Sequence, residues 1–144
     1  MSKDSRLKAD SSGSIFLGTY EFCWINFDVY AQAGHAGGDV LGRPDDKSRP
    51  RINIGLNHGS WWGVVGWIMH EAMEWSLDNE RARYIHAGEH ASGSDQYIFS
   101  FDHNQFSEAV ARVAYLLTPL WPVLSDAYRY FGPNSKYAAE KCGK

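Results

Sequence analysis

The sequence predicts one small α+β domain, with a short antiparallel or mixed sheet packed on a central helix and a C-terminal helix pair. Apolar residues alternate in the first half of the 144-residue chain, whereas apolar residues at helical spacing follow Ser60 and Asp102. A hydrophobic content of 44% is enough for one core, and the chain is short for two domains. We expect a flexible lead-in at residues 1–14, a single domain at 15–131 and a polar tail at 132–144.

The composition argues against several classes of protein. Net charge is -3 and the basic residues are scattered, so no basic surface for nucleic acid is predicted. No apolar run approaches the roughly 20 residues of a membrane span, and the N-terminal residues lack the apolar stretch of a signal peptide. Cys23 and Cys142 form no C-x-x-C pair and are expected as reduced thiols. We therefore expect a cytoplasmic protein without nucleic-acid or membrane partners.

Strands are predicted before residue 32, and a long loop after it. Apolar residues occupy even positions from Phe16 to Trp24 and odd positions from Ile25 to Val29. This change of phase indicates either a bulge or the meeting of two strands, and the absence of Gly or Pro favours the bulge. Residues 32–50 are rich in Gly and predict a loop that is long enough to border a substrate cleft.

A strand, a turn and a helix are predicted between residues 51 and 79. Residues 51–56 alternate as in a half-buried strand, and Ser60 is suited to cap the helix that follows. Residues 80–94 predict a helix end and a surface loop, and residues 97–101 predict another strand. The buried stripe of the helix is expected to consist of Val64, Val65, Ile68, Ala72 and Trp75.

A second helix is predicted to start after Asp102. Asp102 and Gln105 form the pattern of a capping box, and an apolar stripe continues to about Thr118. Pro119 and Pro122 are expected to break or kink this helix, because proline lacks an N–H group and clashes with the preceding turn. Residues 123–131 would then form a last helix before the polar tail.

The first helix carries the sequence His-Glu-Ala-Met-Glu at residues 70–74. On a helix, His70 and Glu74 lie one turn apart on the same face, with Glu71 a further step round the cylinder. A His and a carboxylate at this spacing can bind one divalent cation, since their donor atoms reach a common point. The pattern resembles the H-E-x-x-H helix of zincin metallopeptidases, except that the fifth position is Glu74.

A catalytic zinc ion typically has three protein ligands, so a third must come from another part of the chain. The candidates are Glu108, His103, His90 and His86. Glu108 also has an ordinary interpretation, because it precedes Arg112 by one helical turn and could form a surface ion pair. His86 and His90 could be plain loop residues.

Residues 108–119 resemble the second helix of ImmA/IrrE-type gluzincins, a zincin-like family linked to phage and stress repressors. The resemblance consists of a Glu followed by Ala, and of a Leu-Leu-x-Pro end. It implies a peptidase acting on a peptide or protein, with His70, Glu74 and Glu108 as zinc ligands and Glu71 as the general base. Since a carboxylate at Glu74 makes the ligand set more anionic and harder, bound water is acidified less, and Mn or Fe can compete with Zn.

Three functions therefore stay open at the level of sequence. The first is metal-dependent peptide-bond hydrolysis with Glu71 as the base. The second is a non-catalytic protein of the same fold that binds a partner protein through a degraded site. The third is an aromatic-rich interaction module without metal, in which Glu71 and Glu74 are solvated helix charges and His70 is a hydrogen-bonded core histidine.

Overall fold

The computed structural model describes residues 7–42, 47–79, 83–85 and 97–142. Within these residues the chain forms strands and helices in the arrangement of a small α+β domain, which confirms the predicted fold class. In chain order the elements are β1 (Ser14–Phe22), β2 (Ile25–Gln32), β3 (Gly38–Leu41), β4 (Arg51–Gly55), α1 (Trp61–Asn79), β5 (Arg83–Ile85), β6 (Tyr97–Phe99), α2 (His103–Phe131) and α3 (Lys136–Cys142). None of the helices described has the length and apolar character needed to cross a membrane.

Four of the strands form a mixed sheet in the order β1-β2-β4-β3. β2 pairs with β1 antiparallel and with β4 parallel, and β3 joins the other side of β4 antiparallel as an edge strand. β5 and β6 form a separate antiparallel pair. The prediction of a plain loop over residues 32–50 is therefore wrong, because β3 lies within it. Its four residues, Gly-Asp-Val-Leu, are too few and too irregular to produce a strand pattern.

β1 and β2 meet in a tight turn at Cys23 and Trp24, so the predicted bulge at this point is wrong. Both residues have positive φ, 51° and 66°, as in the two-residue type I′ turns that join β-hairpins. Such turns usually contain Asn, Asp or Gly, because these residues tolerate positive φ. Here neither position has one, and the sequence carried no turn signal. The register shift of this hairpin lies instead between Phe16 and Gly18.

One face of the sheet packs against α1 and α2. Phe27 and Val29 from β2, Ile52 and Ile54 from β4, Ile68 from α1 and Leu116 from α2 are fully buried in one core.

β4 is buried on both faces rather than half-buried as predicted. The side chain of Asn53 points away from the helices, yet Asn53 is only 4% exposed. Its Nδ2 donates to Asp39 at 2.7 Å and its Oδ1 accepts from Arg51 Nε at 2.6 Å. This network satisfies a buried amide and ties β3 to β4 through side chains.

α2 begins with the predicted capping box, in which Asp102 and Gln105 each bond the backbone of the other. It then continues to Phe131 with Pro119 and Pro122 inside it, so a break and a separate last helix are excluded. Both prolines are exposed, and water can therefore satisfy the carbonyl groups that lose an amide partner. The buried stripe of α2 passes the two prolines without interruption through Leu116, Leu120 and Leu124.

Both ends of the described chain pack on the domain. Near the N-terminus, Ala9 bridges Ile15. Asp10 accepts hydrogen bonds from Ser12 and Ser14, which hold its pKa below the ordinary value. Near the C-terminus, α3 lies within the residues predicted as a polar tail, and Tyr137 contacts Phe131 edge to face at 5.2 Å.

Candidate functional site

The rotation of α1 about its own axis is fixed by packing, and this sets the direction of the candidate site residues on it. Its buried residues, which include Val64, Ile68 and Ala72, lock one side of the helix into the core. The turn before α1 is fixed by His58, whose Nδ1 accepts from the Ser60 amide at 2.9 Å and whose carbonyl accepts from the Tyr128 hydroxyl. The helix is therefore anchored at its start and along its length.

His70, Glu71 and Glu74 come together as the helical spacing predicts. His70 Nε2 lies 3.3 Å from Glu74 Oε2 and 4.0 Å from Glu71 Oε1. The His70 side chain is 69% exposed, whereas those of Glu71 and Glu74 are 19% and 28% exposed. The interpretation of His70 as a core histidine is therefore wrong. Two partly buried carboxylates instead surround an accessible imidazole.

Glu71 lies against the edge strand β3. A β-carbon at Gly38 would lie 3.3 Å from Glu71 Cγ and 2.9 Å from the Asn53 carbonyl oxygen, so the absence of a side chain at Gly38 makes room for Glu71. Burial raises the pKa of Glu71, the negative charges of Glu74 and Asp39 raise it further, and His70 opposes them. A partly buried carboxylate with a raised pKa beside a histidine is a frequent arrangement in acid–base sites.

Sequence reasoning did not find Gly38 and Asp39 as neighbours of the motif. They lie more than 30 positions before Glu71 and belong to the segment predicted as a loop. The one available signal was the suggestion that this segment borders a cleft. The structure places its strand β3 beside α1.

The structure does not bring Glu108 to His70 and Glu74. Glu108 Oε2 lies 3.8 Å from Arg112 Nη2, and its side chain is 65% exposed. Burial of Ala109 rotates α2 so that Glu108 faces the β1–β2 turn. There it lines a cavity of about 280 Å³ with Trp24, whose ring lies 4.3 Å from the Arg112 guanidinium carbon. The alternative interpretation of Glu108 as half of an ordinary helix ion pair matches this geometry.

The described residues do not complete a zinc site. His70 and Glu74 offer two donors of a suitable type, one fewer than a catalytic zinc usually has. No group of three or more His, Cys, Asp or Glu side chains in the described part of the chain is arranged to hold a metal ion. His103 is exposed at the first position of α2. His86 and His90 lie outside the described residues.

Comparison with known proteins identifies no similar protein. A scan against protein-family models gives no match, and searches of curated proteins and of solved structures give none either. The function is therefore inferred from the residues of the chain and from their geometry.

Proposed function

We propose that this chain is a metal-dependent peptide-bond hydrolase, in which Glu71 is the general base and His70 and Glu74 bind the metal ion. The observation that carries the proposal is the convergence of an accessible imidazole and two partly buried carboxylates on one flank of α1, beside an edge strand. Zinc is the expected ion, with Mn or Fe compatible with so anionic a ligand set. The third ligand stays a prediction, with His86, His90 and His103 as the candidates, because Glu108 pairs with Arg112 in the structure.

The position of β3 supports a peptide or protein as the substrate. β3 pairs with β4 on one side, and no described strand pairs with its other side. The free N–H and C=O groups of such an edge can bind an extended peptide as an additional strand. Because Glu71 Cγ lies in the space that a side chain at Gly38 would occupy, a peptide bound along β3 would pass near the carboxylate.

Glu71 is suited to move a proton in this reaction. Its carboxylate is sheltered from solvent, and it can accept a proton from the attacking water and return it to the leaving amine. His70 Nε2 lies 4.0 Å from Glu71 Oε1, which places the general base next to the imidazole that is proposed to bind the metal ion. We further propose a cytoplasmic location. Cys23 forms no disulfide within the described residues, which is compatible with that location.

Metal analysis combined with a peptidase assay tests this function. Wild-type protein purified without chelator is expected to contain one metal ion per chain, and His70→Ala is expected to contain none. Glu71→Gln should keep the metal and lose hydrolysis, because a general base affects proton transfer and not coordination. His35→Ala is the matched control, since it removes an exposed imidazole that is not among the candidate ligands. A metal-free wild-type protein, or His70→Ala with full metal content, would contradict the proposal.

A second function is favoured by one observation, the incomplete ligand set of the described residues together with Glu at the fifth motif position. In this alternative the chain binds a metal ion but cleaves nothing, and it acts by binding a partner protein. The same experiment separates the two functions. If the wild-type protein contains metal and neither it nor Glu71→Gln cleaves a peptide library, the non-catalytic function is supported.

A further inference from the structure

An apolar surface runs along the outer side of the two long helices. α1 and α2 lie antiparallel, because Trp61 contacts Trp121 at 5.4 Å near one end, while Met73 and Leu77 pack with Ala109 near the other. The outer side of this helix pair exposes large apolar side chains from both helices. These residues, which we call the α1–α2 face, are Trp62 (73% exposed), Met69 (45%), Phe106 (44%), Val110 (44%) and Trp121 (43%).

The spacing of these residues places them on one side of each helix. Trp62 and Met69 are seven positions apart, and Phe106 and Val110 are four apart, so each pair shares one side of its helix. On α2, Ala114 and Leu117 fill the interval between Val110 and Trp121 at steps of four, three and four residues. This stripe is distinct from the buried stripe that includes Ala109 and Leu116. α2 therefore has one apolar side in the core and a second one at the surface.

The five residues of the α1–α2 face are uncharged, and the described part of α1 between Trp62 and Met69 contains no charged residue. From Phe106 to Trp121, the charged residues of α2 are Glu108 and Arg112, and both lie on the other flank, beside the β1–β2 turn. In a twofold interface the same patch meets its own copy, so a charge near the axis would face a like charge. A face without charges avoids this repulsion and is suited to self-association.

The exposed area is sufficient for a specific interface. With about 200 Å² for a large side chain, the exposed fractions of the five residues correspond to roughly 500 Å² on each protomer. Two copies would then bury about 1,000 Å², which reaches the lower limit for a specific protein–protein interface. The largest apolar patch on a typical monomer covers about 300–600 Å² and is often functional, and the α1–α2 face is of this size.

We propose that the α1–α2 face binds a second copy of this chain, so that the helix pairs of two protomers pack against each other around a twofold axis. The two sheets then lie on the outside of a four-helix layer. Glu71 and β3 are not part of this interface, because Glu71 lies on the flank of α1 that faces the sheet edge. The dimer therefore leaves Glu71 and β3 uncovered.

Sedimentation velocity over a micromolar concentration series tests the dimer. The wild-type protein is expected to sediment as a dimer. Val110→Glu and Met69→Glu should each raise the dimer dissociation constant by about 100-fold or more, because each places two like charges in the interface. Tyr115→Glu is the matched control, since it adds the same charge at an exposed position on the other flank of α2 and should leave the dimer unchanged. Circular dichroism verifies that each variant is folded.

Two results would overturn the proposal. The first is a wild-type protein that is monomeric throughout the series, including one that binds only a different protein through this face. The second is a dimer that survives both Val110→Glu and Met69→Glu, or that is lost in Tyr115→Glu. Measurement of the wild-type protein alone decides the first case, so the test does not depend on the folding of any variant.

Discussion

Two ion pairs in this protein have the same spacing and different surroundings. On α1, Glu74 lies 3.3 Å from His70, its partner one turn away, and a second carboxylate, Glu71, lies within 4.0 Å of the same nitrogen. On α2, Glu108 lies 3.8 Å from Arg112, and the guanidinium of Arg112 also stacks on Trp24. An imidazole can release its proton and bind a metal, whereas a guanidinium stays protonated and accepts nothing. The partner of a Glu therefore indicates its chemistry better than the spacing does.

The largest expected effect is on zinc affinity, and it is tested by comparing variants of Glu74 and Glu108. In Glu74→Ala we expect zinc affinity to fall by roughly 100-fold or more, because a direct ligand is lost. In Glu108→Ala we expect zinc affinity to stay at the wild-type level, because Arg112 is the partner of Glu108 in the structure. Competition with a chromophoric chelator measures both values. An equal loss in Glu108→Ala would show that the two helices do share one metal site.

A smaller effect, on the stability of the domain, is expected from Asn53. This residue bonds Asp39 on β3, the strand that lies beside the helix carrying His70 and Glu74. Asn53→Ala removes the amide that bonds both Asp39 and Arg51, and we expect a loss of about 1–3 kcal/mol in the free energy of unfolding. Denaturant unfolding measures this loss. Asn26→Ala, an exposed Asn on β2, is the control and should stay within about 0.5 kcal/mol of wild type. If the two variants were equally stable, the network would not hold β3 in place.

The stability contributed by the Glu108–Arg112 pair should come more from the contact of Arg112 with the Trp24 ring than from the Glu108 carboxylate. Arg112→Lys keeps the charge and loses the planar group that stacks on Trp24, so we expect a loss of about 0.5–1 kcal/mol. Glu108→Gln should change stability less, since the Glu108 side chain is largely exposed. Thermal unfolding of both variants gives the comparison. A greater loss in Glu108→Gln would assign the stability to the ion pair instead.

The smallest effect concerns the charge of Glu71 in metal-free protein. The pKa of Glu71 is raised in the folded state above its ordinary value of 4.5, so the native protein holds this proton more tightly than the unfolded chain does. Stability is therefore lost as pH rises from 4.5 through the raised pKa. Glu71→Gln lacks this loss, and its melting temperature relative to wild type should be higher at neutral pH than below pH 4.5. A difference independent of pH would contradict the raised pKa.

The elements that the sequence predicts correctly are those with local signals. The capping box of Asp102 and Gln105 involves residues three positions apart, and the His70–Glu74 contact needs only one turn of helix. The hairpin turn at Cys23 and Trp24 contains none of the residues typical of its backbone conformation. It could be recognised only from the pairing of β1 with β2.

The error in α2 and the position of Glu108 have a different cause. The helix can contain Pro119 and Pro122 because both lie on the side that faces water. Which side faces water is determined by the packing of the whole domain. The direction of Glu108 likewise follows from the burial of Ala109. Spacing along one helix could predict which side chains of the motif meet, but not which residues of another helix join them.

The place of β3 in the sheet also constrains when this protein can assemble. Among the described strands, β3 precedes β4 in the chain but pairs only with β4, on the side away from β2. During synthesis, residues 38–41 must therefore wait for residues 51–55, while the β1–β2 hairpin can already form. In the finished protein β3 pairs with one described strand, whereas β2 pairs with two, so the amide hydrogens of β3 are expected to exchange with solvent before those of β2. Burial of the Glu71 carboxylate against β3 is therefore expected to form late in folding and to be lost early in local unfolding.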